Sequence, residues 1–119
     1  MPETLPKSER LSGLTAVSAL FERGKGLSSG CLRCKYIPAH ADASRIVVSV
    51  PKRLFKRAVK RNLLKRRIRE AYRHQKDLIS APADILFIYT AQEVLPYEVI
   101  YADMTAILLA LNPLKQSAL

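Results

Sequence analysis

KRLFKRAVKRNLLKRRIREAYR, residues 52–73, is the stretch of this 119-residue chain in which charge and helical pattern coincide. It holds eleven of the 20 Lys and Arg residues but one of the ten acids, Glu70, so the other 97 residues carry nine basic and nine acidic side chains. The entire formal net charge of +10 therefore lies in this segment. Such a block attracts a polyanion, because binding releases the counterions condensed on it.

Placed at about 100° per residue, the same stretch separates into two faces. One face is an apolar stripe wide enough to pack on a core, formed by Leu64, Ile68, Ala71 and Tyr72. The other is an arc of about 100° without any acid. Its members are Asn62, Lys65, Arg66, Arg69 and Arg73, with Arg61 on the border between the two faces. We predict a helix that starts between residues 54 and 57 and ends near Lys76.

The basic arc indicates a bound polyanion. A solvated basic face is the ordinary alternative, but like charges four residues apart, such as Lys65 and Arg69, destabilise an isolated helix. Arginine suits phosphate because its guanidinium binds two oxygens at once. Asn62 adds a donor and an acceptor, which suits a ribose, a base edge or a metal-bound water. Glu70 is spaced to pair with His74 or Arg66.

Upstream of this helix, the sequence predicts one helix and two strands. Ser12 can cap the helix and Gly24 can end it. Its apolar positions are Leu14, Val17, Leu20 and Phe21. Residues 25–30, KGLSSG, are expected to form a loop. Residues 31–37 alternate between apolar and basic side chains, and residues 45–50 are more apolar, so we expect these two strands to pair as an antiparallel hairpin.

Downstream, residues 83–89 (ADILFIY) are apolar enough for a central strand, and Pro96 is placed to begin a last helix. The packing positions of that helix are expected to be Val99, Ile100, Ile107, Leu108 and Leu111. The predicted order is α-β-β-α-β-α, an α+β sandwich with a small sheet packed by helices. We expect a flexible arm over residues 1–10, a single domain over 11–112 and a C-terminal tail over 113–119.

The sequence lacks the features that are typical of several function classes. No run of 18 apolar residues and no signal peptide is present, so we expect a cytoplasmic protein that does not contact membranes. Cys31 and Cys34 are a weak zinc signal without a second pair, and small buried hydrophobic residues are the better interpretation. The two histidines, His40 and His74, do not complete a catalytic triad, and no glycine-rich phosphate loop occurs. We predict no catalytic residues and no bound metal.

Residues 58–73 resemble the signature helix of the bacterial ribonuclease P protein subunit. That signature has the form A-x-x-R-N-x-x-K-R-x-x-R-E-x-x-R, and every fixed position from Ala58 to Arg73 matches. Features on both sides agree in order, including Phe21, Gly24 and the Ser49-to-Arg53 segment. The resemblance covers about residues 10–111.

The resemblance implies a protein that assists a ribozyme in removing the 5′ leader from precursor tRNA. Catalysis would then belong to the RNA subunit, with Mg²⁺ required through that RNA, and the partners would be the catalytic RNA and precursor tRNA, with no protein partner required. The residues implied to bind the catalytic RNA are Lys52, Arg53, Lys60, Arg61, Asn62, Lys65, Arg66, Arg69 and Arg73. Those implied to line the leader cleft are Val17, Phe21, Arg33, Lys35 and Ser49.

The resemblance also implies a left-handed β-α-β crossover through the motif helix, where the general rule predicts a right-handed one. A structural or ribosomal RNA-binding protein with no part in cleavage is the main alternative. A DNA-binding regulator would need a short helix just upstream of the basic helix, where strands are predicted instead. An RNase acting alone would need a general acid–base pair, which the sequence does not offer.

Overall fold

Four strands form one mixed sheet in the order β1-β2-β4-β3. The structure, a computed structural model, describes residues 20, 22–38, 44–79 and 82–111. The strands are β1 (Lys25–Ser29), β2 (Leu32–Pro38), β3 (Arg45–Ser49) and β4 (Ala83–Tyr89). The helices are α1 (Ala58–Gln75), followed by a 3₁₀ turn (Lys76–Leu78), and α2 (Tyr97–Leu111). The α+β class predicted from the sequence is confirmed.

Strand β4 occupies the centre of the sheet, as its apolar sequence predicted. It pairs antiparallel with β2 and parallel with β3, which is linked to it through α1. The predicted hairpin between residues 31–37 and 45–50 is therefore wrong, because β4 lies between these strands. The physical reason is burial on both faces: Leu86 and Phe87 point to opposite sides of the sheet, and both are buried.

Residues 25–30 were predicted to form a loop, and this prediction is also wrong. Lys25–Ser29 forms the edge strand β1, which pairs antiparallel with β2. Gly30 and Cys31 make the two-residue turn, and Gly30 supplies the positive φ of 54° that such a turn favours. The Asp103 carboxylate accepts a hydrogen bond from the Cys31 backbone N–H at 2.9 Å and so fixes the turn to α2. An edge strand is half-exposed, so its polar composition resembled that of a loop.

The core lies between the sheet and the two helices. Helix α1 buries the predicted stripe of Leu64, Ile68, Ala71 and Tyr72, with Gln75 added at its end. Helix α2 buries Ile100, Met104, Ile107, Leu108 and Leu111. Val99 was predicted to pack in the core but is 41% exposed. Val99 lies about 100° around the helix axis from Ile100, outside the buried stripe. Met104, which was not predicted to be buried, lies within that stripe.

Both cysteines are buried free thiols in this core, as the sequence indicated. Burial raises the pKa of Cys31 to about 12, with a further contribution from Asp103, and burial raises that of Cys34 to about 11. Within the described ranges, His, Cys, Asp and Glu side chains form no group of three that could hold a metal ion. No helix among these residues is long and apolar enough to cross a membrane.

The opposite face of the sheet carries a second, smaller apolar cluster. Leu20 and Leu86 are buried there, with Ile37, Val47 and Ile88 packed against them. Leu20 belongs to a helical segment that ends at Gly24, whose N–H donates to the Leu20 carbonyl at 2.9 Å. A Cβ at Gly24 would collide with that carbonyl, which explains the glycine. Ser12, Val17 and Phe21, with the residue ranges 1–10 and 113–119, lie outside the described residues.

Candidate nucleic-acid interface

Helix α1 presents the predicted basic arc to solvent. At 18 residues it is about 27 Å long, since each residue of an α-helix adds about 1.5 Å. Its exposed positions include Lys60, Asn62, Arg66 and Arg69, while Lys65 and Arg73 are half-buried. The buried stripe fixes the rotation of the helix on the sheet, and this rotation directs the arc outward. The burial of Leu64 and Ile68 thus positions the cations.

Arg61 has a structural contact that the sequence did not reveal. Its guanidinium Nη1 donates to the carbonyl oxygens of Phe55 at 2.7 Å and Lys56 at 2.8 Å. The helix begins at Ala58, after Arg57 in an extended conformation, one residue later than predicted. Arg61 therefore ties the preceding loop to the first turn, which is consistent with its place on the border between the two faces.

Arg73 and Glu70 form an ion pair at the other end of the helix. Arg73 Nε donates to Glu70 Oε1 at 2.7 Å, and its Nη2 donates to Oε2 at 3.3 Å. His74, one of the two predicted partners, has its Nε2 3.8 Å from Glu70 Oε2. Hydrogen bonding from Arg73 holds the pKa of the Glu70 carboxyl below its ordinary value. The sequence predicted partners four residues from Glu70, whereas the main partner, Arg73, lies three residues away.

Arg67 was not predicted to have a role, and the structure gives it one. Its Nη1 donates to the Leu95 carbonyl at 2.7 Å, which fixes the loop between β4 and α2 against α1. Tyr89 fixes the same loop from the sheet, since its hydroxyl donates to the Glu93 carbonyl at 2.7 Å and accepts from the Leu95 N–H at 3.1 Å. No sequence signal distinguished Arg67 from its basic neighbours, apart from its position outside the arc.

Lys52 and Arg53 lie in a tight turn between β3 and α1, and both are exposed. The Pro51 carbonyl accepts from the N–H groups of Leu54 at 3.1 Å and Phe55 at 3.3 Å, which shapes this turn. The turn places the two cations before the first residue of α1, where they extend the positive charge of the helix.

The predicted cleft residues Arg33, Lys35 and Ser49 share the sheet face that carries Leu20. The register places Arg33 beside Ile88 of β4, and Ile88 beside Ser49 of β3. With strands about 4.8 Å apart, Arg33 and Ser49 start about 10 Å from each other across β4. Lys35 lies in the neighbouring row, beside Leu86. This face is an apolar floor with two cations at one side.

An ion pair that the sequence did not reveal closes one end of this face. Arg45 donates to both Asp84 carboxylate oxygens, from Nε at 3.1 Å and from Nη2 at 2.9 Å. The bonds to Asp84 raise the pKa of Arg45. The two residues are direct partners in the parallel β3–β4 register, which a sequence without the correct strand order cannot show.

The structure therefore divides the predicted site residues into two surfaces. Helix α1 packs on the core side of the sheet, whereas Arg33, Lys35 and Ser49 lie on the other side. Ser49 is the last residue of β3, and Pro51 leads from it into the turn of Lys52 and Arg53. Val17 and Phe21, the remaining predicted cleft residues, fall outside the described part of the chain.

Comparisons with known proteins agree with the motif. A sequence model of the family described as Ribonuclease P matches residues 5–112. The ribonuclease P protein component of Petrotoga mobilis is 40% identical over 86 residues, which cover 72% of each chain. That of Porphyromonas gingivalis is 43% identical over 79 residues, which are 64% of this chain and 58% of the relative's length.

Solved structures show the same fold. The RNase P protein of Staphylococcus aureus aligns with a TM-score of 0.75 at 25% identity, over 86% of this chain and 94% of its own. The RNase P protein from Thermotoga maritima aligns with a TM-score of 0.75 at 26% identity, over 84% and 94% of the two chains. This chain belongs to the ribonuclease P protein family.

Proposed function

We propose that the chain is the protein subunit of ribonuclease P, which binds a catalytic RNA and the 5′ leader of precursor tRNA and thereby promotes removal of the leader. The observation that carries the proposal is the outward basic arc of α1, held in place by a buried apolar stripe on the same helix. Its residues match the family signature at every fixed position, and the family model covers nearly the whole chain.

The protein's part in this function is electrostatic and geometric. Each cation of the arc neutralises phosphate where two RNA strands would otherwise repel each other. Asn62 offers both a donor and an acceptor to a ribose or a base edge, whereas the Lys and Arg side chains around it can only donate. The RNA subunit supplies the catalytic groups and holds the Mg²⁺ that the reaction requires, so the side chains of the protein perform no chemical step. No further protein is required, and the holoenzyme works in the cytoplasm.

The sheet face with Arg33, Lys35 and Ser49 receives the leader. Its floor of Leu86 and Ile88 offers apolar surface to unstacked bases, while the two cations attract the leader phosphates. The predicted domain, residues 11–112, contains both surfaces. Because the two surfaces lie on opposite sides of the sheet, one domain contacts the catalytic RNA and the leader at the same time.

Binding of a bacterial ribonuclease P RNA tests the role of the arc. A Lys65→Ala/Arg66→Ala double variant is expected to lose at least about tenfold in affinity. The slope of log affinity against log salt should fall in magnitude by about 1.5, since each lost phosphate contact removes about 0.7 to 0.9. The charge-matched control is Arg23→Ala/Lys25→Ala, which removes two exposed cations just before and at the start of β1, the edge strand farthest from β3. Equal losses in the double variant and the control would refute the proposal that the arc is the binding surface.

Binding of precursor tRNA by the assembled holoenzyme tests the leader surface. An Arg33→Ala variant is expected to weaken binding of a precursor with a leader and to leave binding of mature tRNA unchanged. Equal effects on the two RNAs would show that Arg33 does not contact the leader.

A further inference from the structure

A cavity of about 600 Å³ opens beside the first turn of α1, outside the basic arc and the leader face, and shares Lys60 with the predicted RNA-binding residues. It lies between the loop that precedes α1 and the loop that joins β4 to α2. Four of its nine lining residues are apolar, namely Leu54, Phe55, Leu63 and Val94. Its volume falls in the range of small-molecule sites, which combine apolar walls with a few polar groups.

The polar groups of the cavity have opposite charge on its two sides. Lys56, Arg57 and Lys60 line it from the side of α1, and Gln92 and Glu93 line it from the other loop. The cavity does not belong to the basic arc. Lys60 lies about 180° and Leu63 about 120° around the helix axis from Arg69, at about 100° per residue.

Both walls of the cavity are held in position by hydrogen bonds. Arg61 binds the carbonyl groups of Phe55 and Lys56 on one side. On the other side, the Tyr89 hydroxyl donates to the Glu93 carbonyl. The Leu95 carbonyl accepts from Arg67, which joins the second wall to α1. A ligand would thus meet a preformed site and lose little free energy in ordering it.

We infer that this cavity binds one unstacked nucleobase of an RNA partner, and that the base carries an exocyclic amino group. The apolar walls suit the faces of a base, and the three cations suit the phosphates on either side of it. The Glu93 carboxylate accepts hydrogen bonds and cannot donate them, so it pairs with the amino group of cytosine and repels the carbonyl group of uracil at the same position. This inference rests on the proposed function for the identity of the partner, and its test is independent of cleavage.

Cytidine and uridine 5′-monophosphate are matched probes, because cytosine carries an amino group where uracil carries a carbonyl group. Titrated into the full chain labelled with ¹⁵N, the cytidine nucleotide should shift the amide signals of residues 54–57 and 92–94. It should bind about tenfold more tightly than the uridine nucleotide, the ratio expected for one hydrogen bond to a charged acceptor.

Glu93→Gln and Glu98→Gln are matched variants that each remove one exposed acid and raise the net charge by one. If the cavity attracted nucleotides by charge alone, both variants would bind both nucleotides more tightly. We expect Glu93→Gln to lose the preference for the cytidine nucleotide and to bind it more weakly, while Glu98→Gln keeps the preference.

Equal affinity for the two nucleotides, or an unchanged preference in Glu93→Gln, would overturn the inference. Shifts with inorganic phosphate that match those with the cytidine nucleotide would also overturn it, because they would identify a site for anions only. The two proposals fail in different ways. If these titrations give the contrary result, RNA binding through the arc is unaffected. If the proposed function is wrong, the protein neither binds the RNA nor promotes cleavage, while the nucleotide preference is unchanged.

Discussion

Replacement of Arg61 by alanine should destabilise the fold, although Arg61 belongs to the motif that is proposed to bind RNA. Its guanidinium holds the carbonyl groups of Phe55 and Lys56, so the variant releases the loop that leads into α1. Arg66→Ala is the matched control in the same helix, because Arg66 is exposed.

The size of the effect follows from the two hydrogen bonds. They are short, at 2.7 and 2.8 Å, and a hydrogen bond to a charged group contributes about 1.5–3 kcal/mol when it is buried. Arg61 is half-buried and both bonds use the same nitrogen, so water replaces part of the loss. We expect a free energy of unfolding lower by about 1–2 kcal/mol, which corresponds to a melting temperature lower by roughly 3–8 °C.

Urea denaturation followed by circular dichroism measures this difference, with RNA affinity recorded on the same samples. Arg66→Ala should unfold within about 0.5 kcal/mol of the unmodified protein and still bind RNA more weakly. Arg61→Ala should show both losses. If the two variants have the same denaturation midpoint, the structural role assigned to Arg61 is refuted.

Three further predictions concern other parts of the fold. The pKa of Glu70 lies below its ordinary value of 4.5, so its pairing with Arg73 stabilises the fold above that pH and the contribution falls away as the pH drops below it; NMR titration should give a higher Glu70 pKa in Arg73→Ala, and an unchanged value would contradict the pairing. The thiols of Cys31 and Cys34, with pKa values of about 12 and about 11, should react with a chromogenic disulfide at pH 8 only after unfolding, so rapid reaction in the folded protein would contradict their burial. Asp103→Ala should lower the free energy of unfolding by about 1–3 kcal/mol, since it leaves the buried Cys31 N–H without its acceptor; a change below about 0.5 kcal/mol in urea denaturation would count against the role of Asp103 in the turn.

Sequence periodicity predicted those helices and strands whose two faces differ most in polarity. Leu64, Ile68 and Tyr72 marked the buried stripe of α1 because polar side chains occupy most of the other positions of that helix. The alternation of Leu32, Arg33 and Cys34 predicted β2 in the same way. In α2, where nearly all side chains are apolar, the contrast is weak, and Val99 was placed in the core while Met104 was not.

Long-range pairing could not be predicted from the same patterns. The position of β4 between β2 and β3 depends on which strand gains most from burial on both faces, and that comparison involves the whole sheet. The Arg45–Asp84 pair follows from that order and was invisible without it. Likewise, Arg61 and Arg67 have the same side chain as the exposed arginines of α1, and only the loops around them assign them structural contacts.

The most direct test of the proposed function is cleavage of a precursor tRNA by a bacterial ribonuclease P RNA at low Mg²⁺ concentration, with and without this protein. The protein should restore cleavage at the mature 5′ end, and an Arg61→Ala/Asn62→Ala variant, assayed at a temperature where it remains folded, should not. Tight, salt-dependent RNA binding without restored cleavage would contradict the proposal and identify a structural RNA-binding protein instead.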